Sequence, residues 1–204
     1  MSLSKAQLPV RLTPLVGRAS ELSDIVDAVG HSRLITLTGP GGAGKTRLAV
    51  APARTAGETF PAGVYWVPLA QIEDPAVVGQ TIATTLGVPD TPGQDAAEAV
   101  AGQIADRPVL VVLDNCEHLA ATAADVAEYL LAACPALVVL ATSREALGVE
   151  GELSWQVPPL SLPKAEPAPS AATLAGSDAV QLFERERSWC DRHSGSPTRT
   201  PPRS

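Results

Sequence analysis

Apolar residues in this chain follow two rhythms. Short continuous runs at Arg33–Thr38 (RLITLT), Val109–Leu113 (VLVVL) and Leu137–Ala141 (LVVLA) predict buried strands, with Val64–Leu69 (VYWVPL) a second strand candidate and Leu153–Val157 a shorter fifth. Between them the apolar positions recur at helical spacing. Ser20–Val29 places Leu22, Ile25, Val26 and Val29 on one face, and Gly30 supplies a stop. Further helices are predicted from Lys45, over Pro75–Leu86, over Asp95–Ala105 and over Ala123–Ala133, the last with Thr122 and Asp125 as a capping pair. Two prolines modify the pattern. Pro68 implies that its strand stops pairing there or lies on an edge, and Pro52 implies that the helix from Lys45 kinks or ends near Ala51.

Strands alternating with helices imply crossover connections and a mostly parallel, five-stranded sheet flanked by helices, an α/β fold. Residues 1–14 read as an N-terminal arm, 15–160 as the folded domain, and 161–187 as a Pro-, Ala- and Ser-rich linker leading into a helical region at Ser177–Arg187. Residues 188–204 lack periodicity and read as a disordered tail.

With 45% hydrophobic residues, the chain can bury a substantial core, and with 3% aromatics that core must be built from Val, Leu, Ile and Ala. The net charge of −7 and the absence of a basic stripe argue against direct nucleic-acid contact. Cys116, Cys134 and Cys190 are odd in number and widely spaced, which suits a reducing compartment better than a disulfide framework or a zinc site. With no signal-peptide pattern and no apolar run long enough to span a bilayer, the expected location is the cytoplasm, away from membranes.

The chemistry concentrates in Gly39-Pro40-Gly41-Gly42-Ala43-Gly44-Lys45-Thr46, a complete GxxxxGK[ST] P-loop between a predicted strand and a predicted helix. Glycines let successive backbone N–H groups converge on phosphates, and the following helix adds its unpaired N-terminal amides. Lys45 reaches the β- and γ-phosphates, Thr46 offers a hydroxyl to Mg²⁺, and Arg47 completes the binding segment. The pattern arises by chance in roughly one chain of this size in a hundred, and its strand–helix setting removes most of those cases. The fold expected is therefore a three-layer P-loop NTPase, with ATP or ADP and Mg²⁺ as cofactors.

Asp114 ends the apolar run Val109–Leu113, as a Walker B carboxylate would, and is the candidate partner of Thr46 at the metal. Arg144 ends the following strand after Thr142-Ser143. It reads equally as a γ-phosphate sensor or as a surface arginine. His31, His118 and His193 are isolated, Trp66 and Trp155 sit in strands as core residues, and Cys116 has no basic neighbour to activate it.

Taken together, Leu15-Val16-Gly17-Arg18 with Glu21, Gly39–Thr46, Leu113-Asp114-Asn115-Cys116-Glu117-His118-Leu119, Ala141-Thr142-Ser143-Arg144-Glu145 and Trp155-Gln156-Val157-Pro158-Pro159-Leu160 resemble the STAND class of P-loop ATPases. The pattern is similar to NB-ARC domains, and most of all to the ATPase segment of large LuxR-type and antibiotic-regulatory bacterial transcription factors. The resemblance covers about residues 12–187. It implies that the Arg144 strand lies between the P-loop strand and the Asp114 strand, that Val16, Gly17 and Arg18 pack near the adenine, and that the nucleotide switches a regulator between states.

Two departures qualify the expectation. Many relatives carry a second acid directly after the Walker B Asp, where this chain has Asn115, which can orient a water but not take its proton. Glu117 could serve instead, or could be a solvated residue at a helix start, the second reading being slightly preferred. The helical lid of the resembling class has no counterpart in residues 188–204, so the chain reads as a truncated member with slow or absent hydrolysis. The expected function is an ATP/ADP-binding regulatory ATPase module of a bacterial transcriptional regulator. DNA binding would belong to another domain, and self-association or regulatory proteins would supply further partners. The alternatives are a P-loop small-molecule kinase and a binding-only nucleotide module.

Overall fold

Strands β1 (Leu34–Thr38), β2 (Gly63–Pro68), β3 (Val109–Asp114), β4 (Leu137–Thr142) and β5 (Leu153–Gln156) form one sheet in the order β2-β3-β4-β1-β5 in a computed structural model of the chain. Every neighbouring pair is parallel. The structure describes residues 17–158, which lie within one compact unit. Val16, the arm, the 161–187 linker with its Ser177–Arg187 helix, the tail, Cys190 and His193 lie outside the described residues.

The two-residue period of the strands sorts their side chains into two cores. On one face Tyr65, Val67, Val109, Val111, Leu113 and Val139 pack against helices α3 (Val78–Leu86), α4 (Ala96–Ile104) and α5 (Ala120–Ala133). On the other, Ile35, Leu37, Leu110, Val112 and Leu140 pack against α1 (Ala19–His31) and α2 (Lys45–Thr55). The result is the expected three-layer arrangement. Sheet residues in both cores are almost wholly excluded from water, which explains why β3 reads as an unbroken apolar run. Trp66 is buried as expected, while Trp155 is only half-buried against the second core.

Local signals were followed where tertiary burial agreed with them and overridden where it did not. Asp95 caps α4 by accepting from the Ala97 and Glu98 amides at 2.9 and 3.1 Å. Pro75 opens a 3-10 turn, Pro75–Val77, rather than the α-helix itself. Gly30 does not stop α1, which continues to His31 and buries Ile25 and Val29. Pro52 does not end α2, which runs on to Thr55 and closes with the Ala56 N–H on the Pro52 carbonyl at 2.9 Å. Leu48, Ala49, Pro52 and Ala53 are all buried, so packing offsets the amide bond that proline cannot make. Thr122 and Asp125 do not cap α5, whose N-cap is Leu119 with no side-chain bond. Pro68 sits at the end of β2, the edge strand, as its missing N–H requires.

Candidate functional site

The P-loop connects the C-terminal end of β1 to the start of α2, in the interior of the sheet beside β4. Its turn depends on backbone conformations that side chains disfavour. Gly39 has φ +144°, and a Cβ there would lie 3.3 Å from the Val157 carbonyl oxygen. Gly44, the N-cap of α2, has φ +93°. Lys45 is 8% exposed, and its ammonium donates to the carbonyls of Gly39 at 2.7 Å and Pro40 at 3.1 Å. The cation is thus folded against its own loop, with Gly41 and Gly42 exposed and Ala43 and Arg47 half-buried around it.

β4 lies between β1 and β3, so the ends of all three strands meet at one rim. There the Thr46 hydroxyl donates to Asp114 Oδ1 at 2.8 Å. Thr142, a residue that reading for charge passed over, donates to the same oxygen at 2.7 Å. Its signal was a hydroxyl residue closing the strand adjacent to the carboxylate strand.

Arg144 leaves β4 two residues later, and its carbonyl accepts from the Gly39 N–H at 3.3 Å, tying the segment to the P-loop. Its side chain is 68% exposed and pairs through Nε with Glu117 Oε1 at 3.3 Å. Glu117 is not the solvated residue preferred from sequence. Its side chain is 18% exposed, and Oε2 is buried without a hydrogen-bond partner, as is Ser143 Oγ. These residues, with His118, Ala120, Glu145 and Ala146, line a cavity of ≈ 350 Å³. His118 itself bonds to the Ile72 carbonyl at 2.8 Å, a packing role. Cys116 is buried, and burial, then the neighbouring Asp114 and Glu117 charges, push its thiol up to about 12, so it is no nucleophile.

Arg18 is 5% exposed and acts as a clamp. It pairs with Glu21 at 2.8 Å, donates to the Pro158 carbonyl at 2.7 Å and reaches the Ala43 carbonyl of the P-loop at 3.5 Å. Gly17 is exposed beside it with φ +65°. Burial alone would raise the Glu21 carboxyl, but the bonds from Arg18, from backbone and from Ser20 outweigh it and hold the group below the ordinary glutamate value. A carboxyl lowered in the folded state adds stability above its unfolded pKa and loses it as pH falls through the folded one. Arg18→Ala should therefore lower urea-denaturation stability by about 2–3 kcal/mol at pH 7. The deficit should shrink as the pH is taken below the glutamate range, and a pH-independent deficit would exclude the ion pair as its source.

Among the described residues, no group of three or more His, Cys, Asp or Glu side chains could hold a metal ion, and no helix is long and apolar enough to cross a membrane.

No protein-family model matches the chain. It is 41% identical over 172 residues to an uncharacterized protein of Mycobacterium tuberculosis, covering 84% of this chain and 40% of that protein. It is 43% identical over 134 residues to a protein of the same organism provisionally named an HTH-type transcriptional regulator, covering 66% of this chain and 15% of the relative. Regulatory protein AfsR of Streptomyces coelicolor is 37% identical over 137 residues, covering 58% of this chain and 14% of that protein. The chain thus spans less than half the length of these relatives. Among solved structures, Cdc6p from Pyrobaculum aerophilum superposes with a TM-score of 0.53 at 16% identity, covering 91% of this chain and 52% of the other. The Aeropyrum pernix ORC2 protein, solved as ADPNP-ADP complexes, gives 0.51 at 12% identity, covering 92% and 57%. At these identities the structures establish the fold alone, the α/β fold shared with Cdc6p and ORC2, and the sequence relatives include one provisionally named an HTH-type transcriptional regulator and one named a regulatory protein.

Proposed function

We propose that this chain binds ATP and ADP with Mg²⁺ and acts as the nucleotide-reading ATPase module of a bacterial transcriptional regulator, with slow hydrolysis. The observation that carries the reading is the Thr46–Asp114 contact at 2.8 Å beside a complete P-loop, which places a hydroxyl and a carboxylate at one point next to Lys45. The α2 N-terminus and loop amides receive the phosphates, and Lys45 exchanges the Gly39 and Pro40 carbonyls for phosphate oxygens. The Thr46 hydroxyl hydrogen points to Asp114, which leaves a lone pair of its oxygen for a cation. This hard, all-oxygen donor set is small, and it fits an ion that takes its remaining ligands from phosphate and water. Bound Mg²⁺ supplies neutralisation of phosphate charge. Arg144, held to the rim by the Gly39 bond, reads the γ-phosphate, and Glu117 beside it orients the attacking water and takes its proton.

The nucleotide domain spans residues 15–160 in this reading, with Val16, Gly17 and Arg18 at its adenine end. The protein is cytoplasmic, DNA contact belongs to other segments of a longer regulator, and regulatory proteins or self-association provide its partners.

Titration calorimetry with ATP and ADP, with and without Mg²⁺, tests this. Asp114→Ala should abolish most of the affinity gained from Mg²⁺, about tenfold or more. Arg144→Ala should leave ADP binding near normal while reducing the preference for ATP by about tenfold. Variants whose titrations match the wild type would overturn the assignments.

A further inference from the structure

We propose that Thr142 is a positioning residue for the metal carboxylate, one that fixes which Asp114 oxygen faces the cation; this rests on the nucleotide reading above. Hydrogen-bond direction carries the inference. The Asn115 N–H can only donate, and it donates to Thr142 Oγ1 at 2.8 Å. The Thr142 hydroxyl hydrogen is therefore directed at its other neighbour, Asp114 Oδ1, at 2.7 Å. Thr46 donates to the same Oδ1 at 2.8 Å. Two hydroxyl hydrogens occupy Oδ1, so Oδ2 is the oxygen left for a metal-bound water. With Thr46 alone, rotation of the carboxylate could exchange the two oxygens. The second donor, fixed on a different strand, resists that rotation.

The placement of Thr142 is itself secured. Its backbone carbonyl accepts from the Cys116 N–H at 2.8 Å, so side chain and main chain bind two consecutive amides after β3. Asn115 there has φ +69°, a left-handed conformation uncommon outside glycine, which these bonds hold in place. Thr142 is 1% exposed, so water does not compete for its hydroxyl. On its other side, the Ser143 N–H donates to the Leu37 carbonyl at 3.1 Å and the Gly39 N–H to the Arg144 carbonyl at 3.3 Å. The end of β4 is thereby bonded to the metal carboxylate on one flank and to the P-loop on the other.

The test compares Thr142→Val, which keeps shape and loses the hydroxyl, with Thr142→Ser, which keeps the hydroxyl. The readout is the Mg²⁺ concentration giving half of the Mg²⁺-dependent gain in ATP affinity. It should rise about tenfold in Thr142→Val and return to within about twofold of wild type in Thr142→Ser, with nucleotide affinity in EDTA little changed in either. In an Asp114→Ala background, Thr142→Val should add no further loss, because the residue acts through that carboxylate. An unchanged Mg²⁺ midpoint, equal losses with and without Mg²⁺, failure of serine to rescue, or a loss that persists without Asp114 would each overturn the proposal. If thermal melts show that the valine variant does not fold, Thr142→Ala carries the same comparison. A wild-type chain that binds no nucleotide in either buffer would refute the nucleotide reading and this inference with it, whereas a wild type that binds with a Thr142-independent midpoint would refute this inference alone.

Discussion

Lys45→Ala should weaken ATP and ADP binding by about 100-fold or more, the largest loss expected from any single substitution in this chain. A hydrogen bond to a charged group contributes about 1.5–3 kcal/mol, and a P-loop lysine makes such bonds to two phosphates. Lys45 is buried, and its ammonium is already directed along the loop by the Gly39 and Pro40 carbonyls, so little rearrangement separates its present position from a phosphate-bound one. Arginine should restore little of the affinity, because its planar fork does not match a pocket shaped for a compact ammonium. Calorimetric titration of the purified variants decides the matter, and isotherms that coincide with the wild type would remove the nucleotide site from consideration.

Turnover should be about 0.1 per second or slower, even with saturating ATP and Mg²⁺. An ordinary enzyme works at about 10 per second, and the loss of a general base costs about 10²–10⁴-fold. Asn115 stands where that base is expected, and its backbone is committed to Thr142. Glu117 lines the neighbouring cavity together with Arg144, and the Arg144 ion pair orients its carboxylate. Glu117→Gln should therefore reduce the residual phosphate release by about 10²-fold while leaving nucleotide affinity within about twofold. Release of phosphate at several per second, or a residual rate that survives Glu117→Gln, would show that the chemistry runs through other groups.

β1, β3 and β4 were legible because each is a short run of apolar residues, and burial on both faces demands that composition, whereas β5 (LSWQ) is largely exposed and carries a weaker signal. The P-loop was legible because its glycines are required by backbone conformation, as Gly44 with φ +93° shows. Strand order was not legible from alternation alone, and the position of β4 between β1 and β3 came from resemblance. Local signals failed where packing opposed them, at Gly30, Pro52 and the start of α5. The contacts around the site were hidden for a different reason. Arg18 to Pro158, Thr142 to Asp114 and Arg144 to Glu117 join residues far apart in the chain, and only the crossovers bring them together. Arg18 could be read as a motif residue but not as a clamp, and Glu117 read as solvated because its cover arrives with the next strand.

The sheet order also constrains how the protein can be made. Among the described strands β1 is made first, yet it pairs there with β4 and β5, whose residues follow roughly a hundred positions later. Until Leu137–Thr142 and Leu153–Gln156 have left the ribosome, Leu34–Thr38 has two open edges and no sheet to join. β2 and β3 can pair earlier, so a nascent chain holds its apolar P-loop strand exposed while two of the five strands are already paired. Chaperone demand should peak in that interval, and chains halted between residues 115 and 135 should aggregate more readily than those halted after 158.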